Sequence, residues 1–279
     1  MMDSPVATFS IILIVINVII SYQGFTHIDF FNRYMFWVDG VRKYKEPIRL
    51  LSSGFLHTSW FHLGINMYVL YEFSQFFTYG RFPLAYVVIL YFTSLLGGNL
   101  LALWIRKNDG GYRAVGASGA VSGLLFAFAA YAPWSTIYLF FIIPIWPWLF
   151  ALLYVLFSIY GIRTRQDNIG HEAHLGGAII GLLVTLAFEP ALFMKNPLVI
   201  SGILIPTIAF LYIVARMPHL LLIPGSFRAT AKSFGKKVTL TRDKPAFHSR
   251  EAEINFLLDK GYENLSAKEK SRLKELSQR

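Results

Sequence analysis

Residues 113–123 read Arg-Ala-Val-Gly-Ala-Ser-Gly-Ala-Val-Ser-Gly and open an apolar run. Ser118 therefore stands at the start of a predicted membrane helix. Gly116 allows the chain to turn tightly into this helix and to expose backbone N–H groups beside the serine. Gly119 and Gly123 have the GxxxG spacing, which lets the backbone of another helix come close. The stretch predicts a helix that carries a hydroxyl group at its rim.

A second stretch of small residues supplies the matching helix. Residues 173–181 read Ala-His-Leu-Gly-Gly-Ala-Ile-Ile-Gly, so that Gly177 and Gly181 form a second GxxxG pair one turn after His174. If the two small faces pack, His174 and Ser118 meet at a similar membrane depth. The pair would then be a general base and its nucleophile.

A third stretch offers hydrogen-bond donors. Residues 57–67 read His-Thr-Ser-Trp-Phe-His-Leu-Gly-Ile-Asn-Met. His62 and Asn66 are four residues apart and therefore share one face of a helix. Hydrolysis of an ester or amide needs such donors for the developing oxyanion. His57 precedes the predicted helix and is either a plain loop residue or a residue that supports the site.

Together the three motifs resemble those of the rhomboid intramembrane serine proteases, which carry HxxxN, GxSG and AHxxGxxxG on three helices. The resemblance is to the bacterial type with a C-terminal extension. It implies a dyad of Ser118 and His174 without a third acidic residue, and it implies that no cofactor and no metal is needed. The oxyanion would be held by Asn66, His62 and the backbone N–H of Ser118. The supporting residues would be His57, Gly116, Gly119, Gly177 and Gly181.

Two positions depart from the family pattern. The Trp-Arg pair of the first loop falls at Ile48-Arg49, where only the arginine matches. Ser122 stands where a tyrosine often stacks on the catalytic histidine. We interpret Ser122 as a packing residue, and the sequence leaves the orientation of His174 without an explanation. The resemblance also implies that the predicted fifth helix, with Trp148, Phe150, Tyr154 and Phe157, is a lateral gate for substrate.

Composition indicates an integral membrane protein. Of 279 residues 55% are hydrophobic and 16% aromatic, and several apolar runs approach the roughly 20 residues that a span requires. The absence of cysteine excludes disulfides, thiolate metal sites and cysteine nucleophiles. Of the net charge of +10, most lies from Arg216 onward, where 14 Lys+Arg face 7 Asp+Glu. Anionic lipid headgroups suit such a tail better than nucleic acid does.

We predict an all-α, polytopic membrane helix bundle. Its parts are a rhomboid-like six-helix catalytic core in residues 1–190, an additional transmembrane helix in 191–216, a basic linker in 217–250 and a small helical hairpin in 251–279. The predicted helices are Val6–Tyr22, Trp60–Phe77, Phe82–Ile105, 115–132, Pro147–Tyr160, Glu172–Phe188 and Pro197–Val214. Residues 23–56 form an interfacial loop and 134–146 a membrane-hugging connector. For 197–214 an interfacial segment is the alternative to a span.

The remaining polar residues in these segments need separate interpretation. Glu72 lies deep in the second helix, and we expect it to pair with a polar group such as an interfacial arginine. His171, beside Glu172, is expected to be solvated at the rim. His171-Glu172-Ala173-His174 is one residue short of the HExxH zinc spacing, and its two histidines diverge by about 60° on a helix. A metalloprotease is therefore disfavoured.

The predicted function is an intramembrane serine endopeptidase of a bacterial cytoplasmic (inner) membrane that cleaves transmembrane segments of membrane proteins. The alternative is a non-proteolytic rhomboid-like binding factor or chaperone, although such relatives typically lose the serine or the histidine. A transporter or channel would show paired charges or broken helices at the middle of the membrane. Glu72 is the only residue in the sequence that suggests such a feature. The sequence does not indicate the oligomeric state.

The membrane orientation has two opposed indications. The loops on the side of Ser118 carry ten Lys+Arg, in residues 23–56, 106–113 and 163–165, whereas the opposite turns carry Arg81 and Lys195. The positive-inside rule directs the active site to the cytoplasm. The resemblance to bacterial rhomboids implies an outward-facing site, and both orientations stay open.

Overall fold

The structure is a computed structural model that describes residues 4–139, 142–164, 169–216 and 267–277. The α-helices are α1 Pro5–Thr26, α2 Ile28–Tyr34, α3 Val38–Arg42, α4 Arg49–Ser52, α5 Trp60–Tyr79, α6 Leu84–Ile105, α7 Ser118–Tyr131, α8 Pro147–Thr164, α9 His171–Phe188, α10 Ala191–Lys195, α11 Pro197–Arg216 and α12 Ala267–Ser277. A 3₁₀ helix covers Ser53–Phe55, and the strands are β1 Phe36–Trp37, β2 Arg113–Ala114, β3 Ile137–Leu139 and β4 Ile143–Ile145.

In the part of the chain that the structure describes, five helices, α1, α6, α8, α9 and α11, are long and apolar enough to cross a membrane. Together with α5 and the shorter apolar α7 they confirm the predicted polytopic helical bundle. The chain divides into two units, residues 1–224 and 225–279. Helix α12 is the described part of the second unit. The predicted linker and the first half of the predicted tail hairpin fall in residues 217–266, which lie outside the described residues.

Helices α6, α7 and α9 form the centre of the first unit. Their contacts are made by glycines, because a side chain at these positions would fill the space of the neighbouring backbone. A Cβ added to Gly177 of α9 would lie 2.9 Å from Cα of Gly119 in α7. A Cβ added to Gly98 of α6 would lie 3.2 Å from the backbone nitrogen of Gly177. Close backbone approach therefore fixes the position of each helix along the axis of its neighbour.

The central helix α7 is short. It has 14 residues, which corresponds to about 21 Å, against about 30 Å for the hydrocarbon core of a bilayer. Nearly all of its side chains from Gly119 to Ala130 are buried by the surrounding helices. Its first residue, Ser118, therefore lies below one membrane boundary if its last turn reaches the other. The predicted helix began at residue 115, but Gly116 and Ala117 form the turn that leads into it.

Helix α11 corresponds to the predicted seventh helix. It continues through Pro206, and Ile200 and Ile203 are buried in the same hydrophobic cluster as Val155 of α8 and Leu182 of α9. An apolar helix of 20 residues that packs on α8, itself long and apolar enough to cross a membrane, favours a span over an interfacial segment.

The loop between α1 and α5 is ordered by short elements. Strand β1 pairs antiparallel with β2, so that Phe36 lies opposite Ala114. Arg49 is buried, and its guanidinium donates to the carbonyl oxygens of Asn32 at 2.8 Å and Met35 at 3.0 Å. Its Cζ lies 5.7 Å from the ring centroid of Trp37. The tryptophan that the family pattern places next to this arginine is thus supplied by a residue twelve positions earlier.

The connector between α7 and α8 contains a β-hairpin that the sequence did not predict. Strands β3 and β4 pair antiparallel, with Ile137 opposite Ile145. Beside them the rings of Trp134, Trp146 and Trp148 lie 5.8 to 6.4 Å apart, and we call these three residues the tryptophan cluster. Tryptophan is enriched at membrane–water interfaces. The cluster is consistent with a connector that lies at the membrane surface.

Candidate active site

Ser118 and His174 meet in the structure. Oγ of Ser118 lies 2.7 Å from Nε2 of His174, although 56 residues separate them in the chain. Ser118 is the first residue of α7, and His174 lies in the first turn of α9. The distance is within the range in which a histidine can accept a serine proton.

The glycine contacts between α7 and α9 place these two residues together. A Cβ added to Gly177 would meet the carbonyl group of Gly119, and one added to Gly181 would meet Cα of Gly123. The two GxxxG motifs therefore face each other over two turns, and the serine and the histidine lie at the same end of this contact. A larger side chain in the contact would separate the dyad.

The backbone before Ser118 has a conformation that requires glycine. Gly116 has φ of +131°, which L residues rarely adopt. Its N–H donates to the carbonyl oxygen of Ser53 at 2.9 Å. A Cβ at this position would also lie 3.0 Å from Cε1 and Nε2 of His62. Gly116 thus turns the chain into α7 and leaves room for the histidine ring.

His62 is oriented by Thr58. Its Nδ1 accepts from the backbone N–H of Thr58 at 3.4 Å and lies 3.1 Å from the Thr58 hydroxyl. In the neutral ring the hydrogen is then on Nε2, the nitrogen that lies beside Gly116. His62 can therefore donate a hydrogen bond near Ser118.

Asn66 follows one turn later on α5. Its side-chain nitrogen donates to the carbonyl oxygen of His62 at 2.9 Å, and the residue is 5% exposed. An amide nitrogen carries two hydrogens, so one hydrogen is left for a further acceptor. His62, Asn66, Ser118 and His174 all line one cavity of about 1030 Å³. The structure therefore brings the four predicted residues to one space.

His57 is fully buried and holds the turn before Ser118. The hydroxyl of Ser21 donates to the carbonyl oxygen of Phe55, and Oγ of Ser21 lies 2.9 Å from Nδ1 of His57. The ring therefore donates through Nδ1 and accepts through Nε2 from the N–H of Ala117 at 3.5 Å. Burial, with a smaller contribution from His62, lowers the pKa of His57 to about 3. Of its two interpretations, this geometry favours support of the site.

Tyr154 is the residue that sequence reasoning missed in this role. Its ring is stacked on His174, with centroids 6.0 Å apart and planes at 21°. Its hydroxyl lies 2.6 Å from Oγ of Ser122, and Ser122 donates to the carbonyl oxygen of Ser118 at 2.7 Å. The stacking tyrosine that is absent from α7 is thus supplied by α8. A buried tyrosine usually needs a partner for its hydroxyl, and this requirement is the signal that could have connected Tyr154 with Ser122.

The start of α9 corrects one prediction. His171 was expected to be solvated but is buried at 2% exposure, and its neighbour Glu172 is buried at 1%. Glu172 accepts from Nε of Arg106 at 2.6 Å and from the hydroxyl of Tyr112 at 3.0 Å. Burial and the nearby carboxylate of Glu172 raise the pKa of Tyr112. The buried ion pair connects the loop after α6 to the turn of α9 that carries the histidine of the dyad.

The two histidines of α9 point to different neighbours. The ring of His171 packs on Phe157, with centroids 5.0 Å apart, and lies against Gly161 of α8. His174 lies against Ser118 and Tyr154 instead. Within the described residues no three His, Asp or Glu side chains form a group that could hold a metal ion.

Comparison with known proteins adds a family and distant relatives. A family profile described as the Rhomboid domain matches residues 44–190, which is more than half of the chain. Rhomboid protein 1, mitochondrial, of Saccharomyces cerevisiae is 32% identical over 155 residues, which cover 50% of this chain and 41% of the relative.

Two further relatives show the same partial coverage. RHOMBOID-like protein 12, mitochondrial, of Arabidopsis thaliana is 27% identical over 182 residues, 60% of this chain and 54% of the relative. Presenilin-associated rhomboid-like protein, mitochondrial, of Mus musculus is 30% identical over 157 residues, 54% of this chain and 41% of the relative. The chain thus spans about half the length of the curated relatives that it matches.

Proposed function

Because the chain belongs to the rhomboid family, we propose that it is an intramembrane serine endopeptidase that cleaves transmembrane segments of membrane proteins. The observation that carries this proposal is the 2.7 Å distance between Oγ of Ser118 and Nε2 of His174, inside a cavity that His62 and Asn66 also line. Serine at its ordinary pKa is a poor nucleophile and needs an adjacent base. The two groups have the contact that this chemistry requires.

The proposed reaction begins when Oγ of Ser118 attacks the scissile carbonyl carbon and Nε2 of His174 accepts the serine proton. His174 then donates this proton to the leaving amine, which departs and leaves an acyl-enzyme. Nε2 of His174 then takes a proton from a water molecule that attacks the acyl carbon, and it returns the proton to Oγ of Ser118 as the acid product leaves. These reaction steps need no cofactor and no metal ion.

Three donors would stabilise the oxyanion that forms in each step. They are Nε2–H of His62, the second amide hydrogen of Asn66 and the backbone N–H of Ser118. The last of these belongs to the first turn of α7, where N–H groups have no acceptor within the helix and the helix dipole favours negative charge. Donors fixed before the reaction act where charge develops and cost little reorganisation.

Labelling with a serine-directed fluorophosphonate tests the proposal directly. We expect the wild type in detergent to be labelled at Ser118, and the Ser118→Ala and His174→Ala variants to remain unlabelled and unable to cleave a co-expressed single-span substrate. Ser135→Ala, which changes a half-buried serine of the loop after α7 whose hydroxyl donates to the carbonyl oxygen of Ala132, is the matched control and should be labelled like the wild type. Cleavage by Ser118→Ala would contradict the proposal, and a binding factor or chaperone would show neither labelling nor cleavage in the wild type.

The cellular location is proposed separately from the chemistry. The protein is a multi-pass integral membrane protein. The relatives reported above are mitochondrial and do not confirm a bacterial cytoplasmic membrane, so this location stays a prediction. Reporter fusions after Arg165 and Arg279 would establish on which side of that membrane the loops near Ser118 lie. A reporter after Arg165 that is active only on the cytoplasmic side would support the orientation that the positive-inside rule favours.

A further inference from the structure

Helix α5 presents a stripe of side chains to the cavity that contains the dyad. The stripe follows helical spacing and consists of Ile65, Tyr68, Val69, Glu72, Phe73 and Phe76. Five of these six side chains are apolar or aromatic. Glu72 is the one acidic residue among the described residues that line the cavity.

The carboxylate of Glu72 lies within electrostatic reach of the phenol of Tyr68, one turn earlier on α5, but no cation compensates its charge in the part of the chain that the structure describes. Among the residues that the structure describes, no hydrogen bond or ion pair reaches its carboxylate, so the arginine expected from the sequence is not there. The side chain is exposed at the cavity rather than buried in the bundle. Packing of the fold therefore does not depend on the carboxylate.

A carboxylate at this depth is costly unless it meets a complementary group. Ionisable residues within membrane spans usually face a cavity and pair with an opposite charge or with hydrogen-bond donors. The other end of the cavity is lined by Ser118 and His174. A polypeptide whose scissile bond lies at the dyad would extend along the α5 stripe and pass Glu72.

We propose that Glu72 binds a lysine or arginine side chain in the transmembrane segment of the substrate and thereby selects substrates that carry such a residue. This inference rests on the proposed function, because it names the substrate class of the same site. The apolar members of the stripe accommodate the rest of the segment, and the carboxylate compensates the one charge that the segment brings into the membrane.

The position of the basic residue follows from helix geometry. Glu72 is six residues beyond Asn66 on α5, which corresponds to about 9 Å along the axis. An extended chain covers this distance in about three residues, and a helix covers it in about six. The basic residue should therefore lie three to six residues, roughly, from the cleaved bond on the side that is deeper in the membrane.

A scan of single-span reporter substrates tests the inference. Each reporter carries one lysine, or leucine as its reference, at one of about eight positions beyond the cleaved bond. We expect the wild type in liposomes to cleave the best lysine reporter about tenfold faster than its leucine reference, as one charged hydrogen bond would allow. Glu72→Gln should reduce this ratio, Glu72→Leu should abolish it, and Glu72→Lys should instead favour an aspartate at the same position.

A matched control variant tests whether the lysine preference depends on a residue that lines the cavity. Gln75→Leu also removes a polar group from α5, but Gln75 does not line the cavity, so the lysine preference should persist. Equal cleavage of lysine and leucine reporters by the wild type at every position would overturn the inference, and normal fluorophosphonate labelling would show that the protease function stands. A lysine preference that Glu72→Leu retains would overturn it as well.

A binding measurement distinguishes failure of the Glu72 inference from failure of the proposed protease function. If no reporter is cleaved and Ser118 is not labelled, the protease function is wrong. The same segments are then bound to the Ser118→Ala variant in detergent. Tighter binding of the lysine segment that is lost in the Ser118→Ala, Glu72→Leu double variant would support the inference, and equal binding would overturn it.

Discussion

At the residue scale, the donors around the dyad differ in how many of their hydrogens are already bonded within the protein. Thr58 holds Nδ1 of His62 as an acceptor, which leaves Nε2–H of the ring as a donor beside Gly116. Asn66 already donates one of its two amide hydrogens to the carbonyl oxygen of His62. The backbone of α5 holds His62 in place without this bond, so loss of the Asn66 side chain removes one donor and leaves the ring of His62 where it is.

We expect Asn66→Ala to lower turnover by about 10²-fold while substrate binding stays unchanged. Removing one oxyanion donor typically costs about 10²- to 10³-fold, and two other donors remain. Cleavage rates over a range of substrate concentrations measure the two quantities separately. Asn32→Ala, an exposed asparagine, is the control, and an unchanged rate in Asn66→Ala would remove this residue from the site.

Tyr154 should act on the position of His174 rather than on the substrate. Tyr154→Phe keeps the stacked ring but loses the hydrogen bond to Ser122, so we expect a loss of only a few-fold. Tyr154→Leu removes both contacts, and displacement of the base by about 1 Å can cost about 10²-fold. The rate of fluorophosphonate labelling reports on the dyad without substrate.

Tyr160→Leu, an exposed tyrosine on the same helix, is the control for Tyr154. If Tyr154→Leu is labelled as fast as the wild type, the stacked ring does not position the histidine. A loss of turnover with unchanged labelling would place Tyr154 at the substrate instead.

At the element scale, the contact between α7 and α9 depends on the absence of side chains. A β-branched side chain at Gly181 would occupy the place of the Gly123 backbone, and one at Gly123 would meet Ser94 and the carbonyl group of Gly177. Helices in lipid associate mainly through such close packing. Movement of α9 would carry His174 away from Ser118.

We therefore expect Gly181→Val and Gly123→Val to abolish cleavage and to lower the thermal stability in detergent. Gly202→Val is the matched control, because a Cβ at Gly202 in α11 has nothing within 4 Å. Activity and unfolding temperature are measured on the same preparations. Full activity in both variants would show that the dyad does not depend on this contact.

The helices were predictable because their signals are local, whereas the contacts between them were not. Runs of apolar residues predicted α6 and α9 to within a few residues, and the glycine spacing predicted which faces meet. The partner of His174 on α8 and the tryptophan beside Arg49 come from residues distant in sequence, which no local pattern connects. His171 was expected in solvent because the residues that bury this turn of α9 are distant in sequence: Arg106, which pairs with the adjacent Glu172, lies 66 positions before it.

The sequence also missed the hairpin of β3 and β4. Its strands are three residues long and alternate aromatic, aliphatic and proline residues without a period-two polar pattern. Neither face of this hairpin is polar, so alternation could not reveal it. An uncharged apolar connector between two helices predicts membrane contact but no particular backbone conformation.

At the scale of the whole molecule, stability should depend on pH through His57. Its pKa of about 3 in the folded protein lies below the ordinary value of 6.5, so the unfolded chain binds more protons between these values. Stability is then full above about pH 6.5 and falls as the pH decreases towards 3, by at most about 1.4 kcal/mol per pH unit from this group. Neutral His57 also keeps its acceptor nitrogen for Ala117.

Thermal unfolding in detergent between pH 4 and pH 8, about the range that these values define, measures the effect. We expect His57→Gln to be less stable at pH 7 but to lose less of its stability on acidification than the wild type. His27→Gln, an exposed histidine, should retain the pH dependence of the wild type. An identical dependence in His57→Gln would show that another group titrates.

The shortness of α7 has a consequence for where a substrate is cut. The tryptophan cluster follows the last turn of α7 closely, and its aromatic rings favour the membrane interface. Ser118 then lies about 21 Å from that face of the bilayer, whatever the total thickness. Lipids with longer acyl chains would add hydrocarbon only between Ser118 and the opposite face. The cleavage position would thus be measured from one face of the membrane: in a bilayer about 4 Å thicker, products analysed by mass spectrometry should end about one residue deeper in an extended substrate, and an unmoved terminus would show that the serine follows the nearer face instead.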